Sequence, residues 1–150
     1  MTAGPHILII EARFYDEIAD DLLKGTLAAL GTKGATSEVV SVPGILELPL
    51  TAQFAFSKGA AHPYRHYDGF VVLGCAVKGE TDHYEYVCDQ SMSGVQSVSL
   101  NFLAPLGNGI LTCPTWELAQ NRANPAEGDA GGRAAKACLR LIELKRRFGL

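Results

Sequence analysis

The stretch GETDH, residues 79–83, follows closely on an apolar run, FVVLGCA, and sets a glycine, two acids, a hydroxyl and an imidazole side by side. A helix that starts here has first-turn amide N–H groups with no partner inside the helix, and the positive end of its dipole points the same way. Such an end is suited to a phosphate or another anion. Thr81 adds a hydroxyl donor, although read alone it is simply a helix cap. His83 falls in the first turn. An ordinary imidazole titrates at about 6.5, so it can give and take protons near neutrality. An unremarkable surface histidine is the competing reading, and the local residues leave both open.

Three further loops carry candidates. In ARFYD, Phe14 can stack on a planar ring or plug the core. VPGILE offers backbone amides at a second helix start, together with Glu47, which alone reads as an acid favoured near a helix N-terminus. Arg122, in a polar stretch near NRA, can pair with phosphate or lie solvated. His6, His62 and His66 are poorer candidates, the first opening a strand and the others in a polar loop. Neither GxGxxG nor GxxxxGK[ST] occurs, which removes the usual dinucleotide and P-loop signatures.

The elements that must position these loops alternate along the chain. Residues 6–11, HILIIE, make an apolar run suited to a buried parallel strand. Residues 16–30 have helical spacing in Ile18, Leu22, Leu23, Leu27 and Leu30, with Asp16 as the expected cap. Strands are further expected over 38–42, 69–73 and 108–112, the 69–73 strand ending at the glycines 74 and 79. Helices are expected over 45–57, with Pro49 tolerated in the first turn, and over 81–102, 115–122 and 132–148. Thr115 is the expected cap of the 115–122 helix. This alternation implies a three-layer αβα sandwich around a four-stranded parallel sheet in one domain, residues 1–150. Ligands of such sheets bind beyond the carboxyl ends of the strands, where ARFYD, VPGILE, CAVKGETDH and TCPTW lie.

The 150 residues are 47% apolar, enough for a core, and the net charge of −3 gives no support to a nucleic-acid partner. The basic LKRRFG near the end fits a solvated last helical turn. No stretch approaches the roughly 18 apolar residues of a membrane span. Cys75, Cys88, Cys113 and Cys138 are scattered, without CxxC or metal-ligand spacing, which points to reduced thiols, no metal and a cytoplasmic protein.

Taken in order, ARFYD, VPGILELP, LGCAVKGETDHYEYV, GNGILT and NRA resemble the 6,7-dimethyl-8-ribityllumazine synthase family, from about residue 7 to residue 144. The resemblance implies a flavodoxin-like fold and a reaction without metal or organic cofactor. In it, 5-amino-6-(D-ribitylamino)uracil condenses with 3,4-dihydroxy-2-butanone 4-phosphate to give the lumazine precursor of riboflavin and phosphate. It implies that Phe14 stacks on the pyrimidine and that Ile45, Leu46 and Glu47 hold the ribityl chain. Cys75, Ala76 and Val77 would offer main-chain groups to the uracil edge. Glu80 and Thr81 would bind the phosphate, His83 would move protons, and Arg122 would reach the phosphate from a neighbouring subunit.

Two positions depart from the family. Asn108 stands where an aromatic usually covers the pyrimidine from the adjacent subunit. Ala130, in EGDAGG, stands where a lysine is usual, with Arg133 close by. These departures motivate an alternative, a weakly active flavin-binding paralogue. The resemblance also implies a homo-oligomer with shared active sites. Since Met1 to Pro5 are too few to add a strand to a neighbour, the expectation is a pentamer and not a sixty-subunit shell.

Overall fold

The computed structural model describes residues 4–58, 66–79 and 83–150. Four strands, β1 (His6–Ala12), β2 (Thr36–Val42), β3 (Gly69–Val77) and β4 (Leu106–Cys113), form one parallel sheet in the order β2-β1-β3-β4. The helices are α1 (Asp16–Gly31), α2 (Leu48–Phe56, preceded by a 3-10 turn, Ile45–Glu47), α3 (His83–Phe102), α4 (Trp116–Ala123) and α5 (Ala130–Arg147).

The central strands are apolar on both faces because both faces are covered. Ile7, Ile9, Val71 and Leu73 pack into one core with residues of α1, α4 and α5. Leu8, Ile10, Phe70 and Val72 pack into the other with residues of α2 and α3. The chain moves from β1 outward to β2, then back across β1 to β3. Right-handed crossovers in opposite directions put α1 and α2 on opposite faces. The direction reverses at β1, so the crevice beyond the ends of β1 and β3 is where a ligand is expected.

The three-layer architecture matches the sequence reading, with differences at the element ends. The third strand does not stop at Gly74. It runs to Val77 because β4 supplies partners all the way, from Phe70↔Leu106 to Val77↔Cys113. Gly74 serves contact, since a Cβ there would lie 2.6 Å from Ile45 Cγ2 and 3.0 Å from Ala12 Cβ. The expected cap at Asp16 is not formed. Tyr15 holds the cap position without a side-chain bond, and the Asp16 carboxylate instead accepts from Arg13 Nε at 2.9 Å. Thr115 does cap α4, its Oγ1 accepting from Leu118 N at 3.3 Å. The terminal helix begins earlier than expected, after a cap by Asp129, whose left-handed backbone (φ 48) is not legible in a non-glycine residue.

Helices α1 and α5 pack almost backbone to backbone. Thr26 Oγ1 donates to both Leu22 O (2.9 Å) and Gly131 O (3.0 Å). A Cβ on Gly131 would sit 2.0 Å from Leu22 O. Gly131→Ala gains up to about 1 kcal/mol of helix propensity but forces two backbones apart, a cost of about 1–3 kcal/mol or more. The expected result is a net loss of stability, read as a melting temperature lower by several degrees, at about 2–4 °C per kcal/mol for this size. An unchanged or higher melting temperature would contradict this packing.

Candidate active site

A cleft of about 400 Å³ opens at the carboxyl ends of β1, β2 and β3. Phe14 and Tyr15 enter from the β1–α1 turn. Pro43, Gly44, Ile45, Leu46 and Glu47 come from the turn into α2. Cys75, Ala76, Val77 and Gly79 line it from β3 and its end. His83, Tyr84 and Val87 come from the first turns of α3. Eight residues singled out in the sequence, Phe14, Ile45, Leu46, Glu47, Cys75, Ala76, Val77 and His83, thus converge on one crevice.

The local folding explains what each contributes. The β1–β3 ladder ends at Glu11↔Leu73, yet β3 continues to Val77. The β1-facing edge of this overhang offers main-chain N–H and C=O groups beside the cleft. They suit a planar ring with alternating donors and acceptors. At the turn into α2, Gly44 is extended and provides no side-chain cap. Glu47 N donates to Gly44 O at 3.2 Å, which leaves the amides of Ile45 and Leu46 at the positive end of the turn beside the cleft. Ile45 is buried in the core, whereas Leu46 and Glu47 stay exposed at the rim. Phe14 is 71% exposed, a ring held out with room for a partner.

The thiol in the cleft is not a nucleophile. Burial, followed by the neighbouring Cys113 and Cys88, pushes Cys75 up to about 12. It is therefore a neutral thiol at physiological pH, and thiolate is the reactive form. Burial also raises Tyr15 and Tyr84, so neither phenol ionises there. His83 is the imidazole among the side chains that line the cleft, and it is the acid/base candidate there. Among the described residues no group of three or more His, Cys, Asp or Glu is placed to hold a metal ion.

Asn108 and Arg122 do not line the cleft. Asn108 is exposed on edge strand β4, where its Oδ1 accepts from Ile110 N at 3.0 Å and its Nδ2 lies 3.5 Å from Met92 Sδ. Arg122 is exposed in the last turn of α4, not in a loop. The following turn folds against it through Gly128 N, which donates to Asn121 O at 3.0 Å. Glu80 and Thr81 lie outside the described residues.

The sequence matches the family model described as 6,7-dimethyl-8-ribityllumazine synthase over residues 4–146. The chain belongs to the 6,7-dimethyl-8-ribityllumazine synthase family. It is 47% identical over 144 residues to 6,7-dimethyl-8-ribityllumazine synthase 1 of Rhizobium meliloti, covering 96% of this chain and 94% of that one. The synthase of Agrobacterium fabrum is 45% identical over 145 residues, 97% of each chain. That of Azorhizobium caulinodans is 46% identical over 144 residues, 96% of this chain and 88% of that one.

Tyr84 and Val87 complete the cleft of this lumazine synthase family member without having been singled out in the sequence. Their signal was available in helical spacing, since positions 83, 84 and 87 share one face of a helix. Trp116 was also missed. It supports the cleft indirectly, packing edge-on against Tyr15 with ring centroids 5.2 Å apart.

Proposed function

We infer that the chain is the riboflavin-pathway transferase that condenses 5-amino-6-(D-ribitylamino)uracil with 3,4-dihydroxy-2-butanone 4-phosphate, giving 6,7-dimethyl-8-ribityllumazine and phosphate. Membership of the synthase family over residues 4–146 carries this reading. The cleft supplies what the reaction needs. Phe14 stacks on the pyrimidine, and main-chain groups of Cys75, Ala76 and Val77 bind the uracil edge. The turn at Ile45, Leu46 and Glu47 takes the ribityl hydroxyls. The 5-amine of the held pyrimidine adds to the ketone and water leaves to give an imine. The carbon bearing the free hydroxyl loses a proton as phosphate is expelled, and the enol formed becomes a ketone. The ribityl-bearing nitrogen adds to that ketone and a second water leaves, which closes the ring. His83 moves protons for these steps. Glu80, Thr81 and Arg122 hold the phosphate. Most of the rate comes from holding two substrates in register, since the chemistry requires no strong acid or base. Turnover with both substrates, compared with either alone, tests this reading.

Arg122 and Asn108 lie away from the cleft of their own chain, and both are exposed. A site that uses them takes them from a neighbouring copy. Exposed Leu46, Leu50 and Phe54 on the turn into α2 and on α2 itself provide apolar surface for that contact. The proposed assembly is a closed heterologous pentamer of about 80 kDa, five times the 16.0 kDa chain, in the cytoplasm. Among the described residues no helix is long and apolar enough to cross a membrane. Light scattering behind size exclusion is expected to give that mass. A monomer would contradict the shared site, and a mass near sixty chains would contradict the closed ring.

A further inference from the structure

The Phe14 ring is 71% exposed, yet both of its chain neighbours are tied into the framework. On one side, Arg13 N donates to Val42 O at 3.0 Å, continuing the contact between β1 and β2. Its guanidinium donates to Glu11 Oε1 at 2.7 Å, to Asp16 Oδ1 at 2.9 Å and to Asp20. Glu11 is buried, and its second oxygen accepts from Ser41 Oγ at 2.7 Å. One cation thus ties β1, β2 and α1 together immediately before Phe14.

On the other side, Tyr15 meets the Trp116 ring edge-on at 5.2 Å, and Phe14 meets Tyr15 edge-on at 4.9 Å. Trp116 is the first residue of α4, capped by Thr115, and Gln120 of the same helix donates to Glu17 of α1 at 3.3 Å. The three rings form a chain from a helix start to the rim of the cleft.

We propose that Arg13 and the Tyr15–Trp116 pair form a two-sided mount that fixes the Phe14 ring for stacking, which makes Arg13 and Trp116 positioning residues for the pyrimidine. The proposal rests on the reading of Phe14 as the pyrimidine platform. Stability explains the pairing of Arg13 with buried Glu11, but explains the further contacts to Asp16 and Asp20 poorly. Asp16 and Asp20 are 80% and 70% exposed, and exposed ion pairs contribute little to stability. What the arrangement changes is the freedom of one exposed ring. Ordering such a side chain on binding weakens affinity, and a mount that orders it beforehand removes much of that cost.

Calorimetric titration of the assembled protein with 5-amino-6-(D-ribitylamino)uracil tests the mount. Phe14→Ala is expected to weaken binding about tenfold, and Trp116→Ala about fivefold, because a stacked ring and its edge-on support act through one contact. Trp116→Phe keeps an edge-on ring and is expected to stay within about twofold of the native protein. In the Phe14→Ala background, Trp116→Ala is expected to add less than about twofold, since the two residues act as one unit. Arg13→Lys keeps the charge beside buried Glu11 while losing the forked contacts, and is expected to follow the same pattern. If Trp116→Ala does not fold, Arg13→Lys in both backgrounds carries the test. A Trp116 or Arg13 effect that persists in full without Phe14 would overturn the mount, as would native affinity in both variants. Native affinity in Phe14→Ala would instead remove Phe14 from the pyrimidine contact and take the mount with it.

Discussion

His83→Ala is expected to slow turnover by about ten- to a thousandfold while leaving affinity for the ribitylated pyrimidine nearly unchanged. His83 opens α3 and lines the cleft together with the strand-end residues proposed to hold the uracil ring. Burial keeps the thiol of Cys75 and the phenols of Tyr15 and Tyr84 protonated, so they are poor substitutes as proton carriers. A thousandfold loss corresponds to about 4 kcal/mol of barrier. The lower part of the range is favoured because juxtaposing two substrates supplies a larger share of the acceleration than one proton transfer. Turnover at saturation with both substrates, alongside a binding titration with the pyrimidine, checks this. Unchanged turnover would remove His83 from the mechanism.

Arg122→Ala is expected to raise the apparent KM for the butanone phosphate about ten- to a hundredfold, with little change for the pyrimidine. A charge-assisted contact to phosphate contributes about 1.5–3 kcal/mol, which converts to that range. Arg122 is exposed on α4 and does not line the cleft of its own chain, so the proposed phosphate role requires a neighbouring copy. Mixing Arg122→Ala subunits with His83→Ala subunits therefore distinguishes a shared site from a private one. If subunits exchange in a mixed ring, some sites receive a native arginine beside a native histidine, and turnover recovers in part. An equal rise in KM for both substrates would contradict the phosphate role.

The cleft was legible in the sequence to the extent that its residues sit in loops after strands. Buried parallel strands such as HILIIE and FVVL are nearly continuous apolar runs, and their alternation with helical spacing is enough to indicate where the carboxyl ends lie. The extent of β3 was not legible. Gly74 resembles a breaker, but hydrogen bonds to β4 and contact with Ile45 decide its role, and both are tertiary. The Asp16 cap was misread for a similar reason, because Arg13 claims that carboxylate. Spacing alone left Phe14, Glu47, His83 and Arg122 with two readings each. The fold brings Phe14, Glu47 and His83 to one cleft. The phosphate role proposed for Arg122 rests on family resemblance, since a residue proposed to act in another copy's site leaves no mark in the periodicity of one chain.

The central claim is the condensation itself. The most direct measurement is a turnover assay with both substrates, following 6,7-dimethyl-8-ribityllumazine and inorganic phosphate together, with each substrate omitted in turn. The expected result is formation of the lumazine and phosphate in equal amounts, only when both substrates are present, without added metal or organic cofactor. Saturable binding of riboflavin or of the pyrimidine with no lumazine formed would contradict it.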